Sequence, residues 1–193
     1  MRRRDVLRAA AGAALATWAP VDVIQAAMRA ARVRTAGRAY QPKFFTLHEW
    51  ETVRVLVDLV IPPDERSGGA TEAGVPEFMD FMMQDRPSLQ TPMRGGLAWL
   101  DTECRERFGK TFVECGDRER RAVLDDIAWP RRARPELSHG VAFFNGFRDL
   151  TASGFWSSRM GIEDLQYLGN RFVPEWRGCP PEALRKLGVS YDD

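Results

Sequence analysis

Apolar residues recur at helical spacing along most of the chain beyond residue 44. Phe45-Thr46-Leu47-His48-Glu49-Trp50 has the form of a helix start, with Thr46 placed to cap the Glu49 N–H and Glu49 to reach back to Thr46. Phe45 and Trp50 flank it as a hydrophobic staple. Leu47, Trp50, Val53, Leu56, Val57 and Val60 follow the 3.6-residue period, and Pro62-Pro63 stops the helix. Asp64 to Gly74 is polar and glycine-rich, and reads as a loop. Pro76 suits the first turn of a second helix carrying Phe78, Met79, Phe81 and Met82.

The spacing predicts a third helix from Thr91-Pro92 through Leu97, Leu100, Cys104 and Phe108 to Gly109, with Thr91 as its cap. A fourth is predicted from Asp117 through Val123, Leu124 and Ile127 to Pro130. A fifth covers about 136–152, with Leu137, Val141, Phe144 and Leu150 as core contacts. Ser153 to Ser158 then reads as a turn holding Phe155 and Trp156. A short helix near 161–168, a Pro/Gly-rich tail and a small terminal helix complete the chain. No alternating strand pattern or internal repeat appears. The expected fold is all-α, a compact orthogonal bundle of five or six helices with long loops.

Charge divides the chain in two. Over all 193 residues, 28 Lys+Arg meet 27 Asp+Glu, for a net charge of +1. Residues 1–43 hold nine basic groups and two acids, whereas residues 44–193 hold 19 and 25. The near-neutral total is therefore a basic N-terminal segment on an acidic helical domain, with boundaries at 1–43 and 44–193. An acidic body argues against nucleic acid as a partner. No run of eighteen apolar residues suggests a membrane span.

The basic segment opens Met1-Arg2-Arg3-Arg4-Asp5-Val6-Leu7-Arg8 and continues into an Ala/Gly-rich stretch. A cationic start before a mildly apolar core is the layout of an export signal. Arg3 and Arg4, followed by Val6, Leu7 and Arg8, fit the twin-arginine variety, which takes folded proteins to the periplasm. Ala14-Leu15-Ala16 is one candidate cleavage point, and an uncleaved anchor is the alternative. Cleavage there would leave a mature chain of charge −2.

Catalytic chemistry is sparse. His48 and His139 are the only histidines. His48 in a first helical turn reads as a solvated side chain, and Ser138-His139 lacks an assignable triad partner. Gly68-Gly69 and Gly74 do not make a phosphate-binding fingerprint. Asp125-Asp126 and Glu163-Asp164 lack histidines at ligand spacing and read as solvated helix faces. Arg131-Arg132-Ala133-Arg134 could grip an acidic partner. Met79, Met82 and Met83 read as core or interface filling.

Cys104, Cys115 and Cys179 occur in no metal or haem-attachment motif, and an odd count leaves at least one thiol free or paired to another chain. The C-terminal third is dense in aromatics, among them Phe155, Trp156, Tyr167 and Trp176. They read both as core and as a partner interface.

Leu47-x-x-Trp50-x-x-Val53-x-x-Leu56-x-Asp58-x-Val60-Ile61-Pro62-x-Asp64, followed by Gly69-Ala70-x-x-Ala73-Gly74-Val75-Pro76-x-Phe78-x-Asp80, resembles the opening of the gluconate 2-dehydrogenase subunit 3 family. Phe147-Arg148-Asp149-Leu150-Thr151-x-x-Gly154-Phe155-Trp156-Ser157-Ser158-x-x-Gly161 and Tyr167-Leu168-Gly169-Asn170 resemble its closing region. The likeness covers roughly residues 45–180.

The resemblance implies a non-catalytic small subunit of a periplasmic or membrane-associated sugar or polyol dehydrogenase. It implies FAD in a large glucose–methanol–choline-type partner, and often a cytochrome c subunit carrying haem c. The small subunit would hold no cofactor, and its leader would bring the folded flavoprotein to the twin-arginine translocase. Cys179, near the tail, is then the candidate for a disulfide to the catalytic subunit. Two alternatives stay open. One is an independent periplasmic enzyme built around His48, Glu49 and the 62–74 loop. The other is a helical binding module for another oxidoreductase.

Overall fold

The computed structural model describes residues 40–167, 174–175 and 178–191. The leader residues Arg3, Arg4, Val6, Leu7 and Arg8, and the aromatic Trp176, lie outside them. The described residues form eight α-helices and no strand, the all-α class that the hydrophobic pattern predicts, with short helices added to the five or six expected. They are α1 Leu47–Val60, α2 Ala70–Ala73, α3 Val75–Asp85, α4 Gln90–Phe108, α5 Asp117–Ala128, α6 Ser138–Ser157, α7 Arg159–Asp164 and α8 Pro181–Leu187. Single 3₁₀ turns at Pro87–Leu89 and Pro135–Leu137 lead into α4 and α6.

Helix α6 is the hub, and α1 to α5 and α7 all pack on it. Small residues set the approach distances. A Cβ on Gly140 would lie 2.6 Å from the Trp99 ring, and one on Gly154 would lie 2.8 Å from Phe78. In the other direction, Phe143 of α6 presses on Gly96 of α4, where a Cβ would come within 1.8 Å of the ring. Large rings thus sit directly on backbone, which brings the helices close and fills the core. Met79, Met82 and Met83 are buried there, as core filling.

Helix α1 starts as expected. The Glu49 N–H donates to Thr46 Oγ1 at 3.2 Å and the Thr46 N–H to Glu49 Oε2 at 2.8 Å. Leu47 is nevertheless exposed in the first turn. Three boundaries differ from the sequence reading. Residues 153–157 are helical rather than a turn, because Gly154 fits beneath Phe78 and the Ser157 hydroxyl bonds back to the Ser153 carbonyl at 2.6 Å. The chain turns at Ser158 instead, whose hydroxyl caps α7 through the Gly161 N–H at 3.0 Å.

Helix α4 begins at Gln90 without a Thr91 cap, continuing out of the preceding 3₁₀ turn, and the Gln90 amide donates to the Met83 carbonyl at 2.8 Å. Gly116, not Asp117, is the N-cap of α5. Its N–H donates to Glu119 Oε2 at 2.8 Å, while Asp117 pairs with Arg121 at 2.7 Å.

The acidic residues of the opening motif each bind backbone. Asp58 accepts the Thr71 N–H at 2.7 Å, so the stretch read as loop contains the short helix α2. Asp64 accepts the N–H groups of Arg66 and Ser67 at 2.8 and 2.9 Å. Gly74 joins α2 to α3 at φ 87°, a conformation that favours glycine.

Asp80 on α3 is fully buried. Its Oδ2 accepts the Tyr40 hydroxyl at 2.6 Å and the Lys43 N–H at 3.0 Å. Its Oδ1 accepts the N–H groups of Phe44 and Phe45 at 2.9 and 3.2 Å. Burial, reinforced by this hydrogen bond, pushes the Tyr40 phenol above its ordinary range.

Replacing Asp80 with Ala strands several buried donors, a class of change that costs on the order of 3 kcal/mol. Asp80→Ala is expected to lower the urea midpoint accordingly and to expose the Lys43, Phe44 and Phe45 amides to hydrogen exchange. A second expectation concerns acid. Glu114 is held below the ordinary carboxylate range by hydrogen bonds from the Thr111 N–H and hydroxyl, and Glu119 by that from the Gly116 N–H. Carboxylates lowered in the folded state stabilise it above their ordinary value near ~4.3, and this is lost as pH falls through the lowered value. Amide exchange at Thr111 and Gly116, compared with α1 amides, is expected to accelerate selectively between about pH 5 and 3.

Candidate partner interface

The exposed apolar side chains at the α6–α7 corner follow from how the chain turns there. Gly161 lies against the Phe155 carbonyl, where a Cβ would sit 2.1 Å from the oxygen, so α7 can fold back on the end of α6. Phe155 is 1% exposed. Its sequence assignment to the partner surface is therefore corrected: the helix continues through this position and turns the ring into the core.

Phe155 serves the surface indirectly. Its ring meets Trp156 edge-on, with centroids 4.9 Å apart, and Trp156 remains 39% exposed. Leu165 and Tyr167, just beyond α7, are 55% and 42% exposed.

The loop between α1 and α2 supports this corner. Arg66 donates to the Asp164 carbonyl and pairs with its carboxylate at 3.1 Å. Met160 reaches within 3.1 Å of the Cβ position of Gly68. The glycine-rich loop is thus a buttress for α7. Its backbone is committed locally, with the Asp64 N–H bonded to the Ser67 carbonyl at 3.0 Å and the Ala70 N–H to that of Ile61 at 3.0 Å.

The structure brings His48 to Asp101, a partner that the linear sequence does not signal. His48 Nε2 lies 2.5 Å from Asp101 Oδ2, while Asp101 Oδ1 accepts the Phe112 N–H at 2.9 Å. Arg105 approaches the same carboxylate at 3.6 Å. This arrangement ties α1 to α4 and to the segment after it. His48 sits in the first turn of α1 and the 62–74 loop follows its far end, a separation of about 20 Å for a 14-residue helix. His48, Glu49 and that loop are not brought together. His139 is exposed at the start of α6.

Among the described residues, no group of three or more His, Cys, Asp or Glu side chains is placed to hold a metal ion. Members of both acidic pairs are engaged in ion pairs. Asp126 meets Arg107 at 2.6 Å, and Glu163 meets Arg159 at 2.7 Å. Arg131, Arg132 and Arg134 are exposed, with Arg132 6.0 Å from the ring centroid of exposed Trp129. Cys104 and Cys115 are buried free thiols, whereas Cys179 is exposed. The Cys179 N–H donates to the Tyr191 hydroxyl at 2.7 Å, and Tyr191 closes over Gly178, which has φ 86°. This hook presents Cys179 at the surface. No described helix is long and apolar enough to cross a membrane.

No curated protein and no solved structure matches the chain. The family model described as gluconate 2-dehydrogenase subunit 3 matches residues 47–174, from the start of α1 past α7 and over the exposed corner. Spanning well over half of the chain, that match places the protein in the gluconate 2-dehydrogenase subunit 3 family.

Proposed function

We propose that this chain is the non-catalytic small subunit of a periplasmic FAD-dependent sugar or gluconate dehydrogenase. It escorts the catalytic flavoprotein through twin-arginine export and supports its folding and assembly. The family match over residues 47–174 carries the reading, because the family is named for a dehydrogenase subunit. The leader adds the export role. Arg3 and Arg4, followed by Val6, Leu7 and Arg8, form an address read by the twin-arginine translocase. That route moves folded cargo, so a flavoprotein can load FAD before transport and cross bound to a partner that bears the signal.

In this reading FAD resides in the glucose–methanol–choline-type partner, and haem c in a further cytochrome subunit where one is present. The corner bearing Trp156, Leu165 and Tyr167 is the docking face, and Trp176 extends it in sequence. Large aromatics contribute strongly to interfaces when a partner desolvates them. Cys179 is accessible for a disulfide to the catalytic subunit. The acidic body gives no affinity for nucleic acid.

Two measurements test these roles. Co-expression of the chain with the flavoprotein is expected to deliver dehydrogenase activity to the periplasm. Replacing Arg3 and Arg4 together with Lys should reduce that delivery by at least about tenfold. Equal delivery in the absence of this chain refutes the escort role. Separately, Trp156→Ala and Tyr167→Ala are each expected to weaken the complex by about 10- to 100-fold, the scale of an interface hot spot. The melting temperature of the free chain should stay close to wild type. Unchanged affinity in both variants would move the interface elsewhere.

A further inference from the structure

The link between α5 and α6 begins Trp129-Pro130-Arg131-Arg132-Ala133-Arg134-Pro135, and its backbone is tightly held. The N–H groups of Arg132 and Ala133 both donate to the Trp129 carbonyl, at 2.8 and 3.0 Å, and the Leu137 N–H donates to the Arg134 carbonyl at 3.0 Å. Buried Ile127 and Leu137 fasten the two ends to the core, and Pro130 and Pro135 restrict the chain between them. The shape of the turn is thus set before any partner arrives.

What the turn displays runs against the charge of the body. Trp129 is 61% exposed, with the Arg132 guanidinium 6.0 Å from its ring centroid. Arg131, Arg132 and Arg134 are exposed and make no ion pair among the described residues. By contrast, Arg107 is committed to Glu103 and Asp126, Arg121 to Asp117, and Arg120 to backbone carbonyls. Glu136 is the single acid between Trp129 and the exposed His139. Residues 44–193 as a whole hold 19 bases and 25 acids. An acidic partner is therefore opposed by the net charge of the body and drawn to this turn.

We propose that the 129–134 turn is a second docking face, for a protein surface that sets carboxylates around an apolar spot. The carboxylates pair with the guanidinium groups of Arg131, Arg132 and Arg134, whose forked donors suit them, and the apolar spot receives the Trp129 ring. Trp and Arg together are enriched at interface hot spots, and a turn already fixed costs little to order on binding. Three arginines fall short of the roughly four to eight cations by which a basic cluster holds to an anionic bilayer. This face and the α6–α7 corner lie at opposite ends of α6, a 20-residue helix about 30 Å long. The proposal does not depend on the escort role.

The test follows proton–nitrogen correlation spectra of the full chain during titration with a capped peptide of glutamates around a central phenylalanine. The Trp129 indole signal, identified with Trp129→Phe, and the side-chain signals of Arg131, Arg132 and Arg134 are expected to shift saturably. The effect should fade as salt is raised, and the Trp156 indole should stay in place. Arg131→Gln, Arg132→Gln and Arg134→Gln together, or Trp129→Ala alone, are expected to weaken binding by at least about tenfold. All four positions are exposed, so the melting temperature should stay close to wild type. Unchanged affinity in either variant, no shift at Trp129, or shifts confined to residues 1–43 overturns the proposal. A Trp129 response to phosphatidylglycerol vesicles but not to the peptide also overturns it, in favour of a bilayer.

Discussion

A fully buried carboxylate inside a helical bundle is unfavourable unless donors surround it, and Asp80 is surrounded. Backbone N–H groups from residues 43–45 and the Tyr40 hydroxyl converge on its two oxygens. The consequence reaches beyond α3. Those donors belong to the segment just before the Thr46 cap, so the entry of the chain into α1 is fixed by a side chain about 35 residues later. Arg94 of α4 adds a bond to the Phe44 carbonyl at 2.8 Å and stacks over the Phe44 ring at 4.5 Å. Three helices are thus gathered around the point where the basic leader segment of the sequence gives way to the acidic domain.

The second constraint is steric. Helix α6 carries the aromatic density of the C-terminal third, yet its neighbours approach closely because glycines stand where rings meet backbone. Phe143 against Gly96, Trp99 against Gly140 and Phe78 against Gly154 are three forms of the same fit. Such contacts are intolerant of added volume, since a close-packed interior has few places to relax. The α6–α7 corner inherits this rigidity. Gly161 locks α7 on Phe155, and Arg66 ties α7 to the 62–69 loop. Trp156 is therefore displayed from a fixed platform, so docking there would require little ordering of side chains.

Much of the bundle was legible in the sequence because its signals are local. The capping box at Thr46 and Glu49, the stop at Pro62-Pro63 and the helical spacing of Val53, Leu56 and Val57 all act within a few residues. The departures arise where long-range packing outweighs a local signal. Gly154 looks like a turn residue until Phe78 is seen to occupy its missing side chain. Thr91 looks like a cap, but the 3₁₀ turn before it already supplies the entry to α4. Asp80 and Asp101 give no sign of this role as isolated acids, since the backbone N–H groups they accept lie at least 35 and 11 residues away. Phe155 and Trp156 are adjacent in sequence and differ in fate because successive helical residues point about 100° apart. Periodicity anchored on Phe144, Phe147 and Thr151 places Phe155 on the buried side, once the helix is known to continue.

That last distinction bears on how a small subunit of this family can be both stable and adhesive. A domain of this size needs most of its large rings for its own core, and Phe143, Phe144, Phe147 and Phe155 are spent there. Of the large apolar side chains left exposed, Trp156, Leu165 and Tyr167 gather near one corner, while Leu47, Trp129 and Tyr191 stand elsewhere. Separation of the two sets means that surface aromatics can be changed without opening the core, and core packing can be preserved while partner choice diverges. The acidic charge of the body fits the same division. Like-sign charge over the body opposes self-association at an exposed apolar corner.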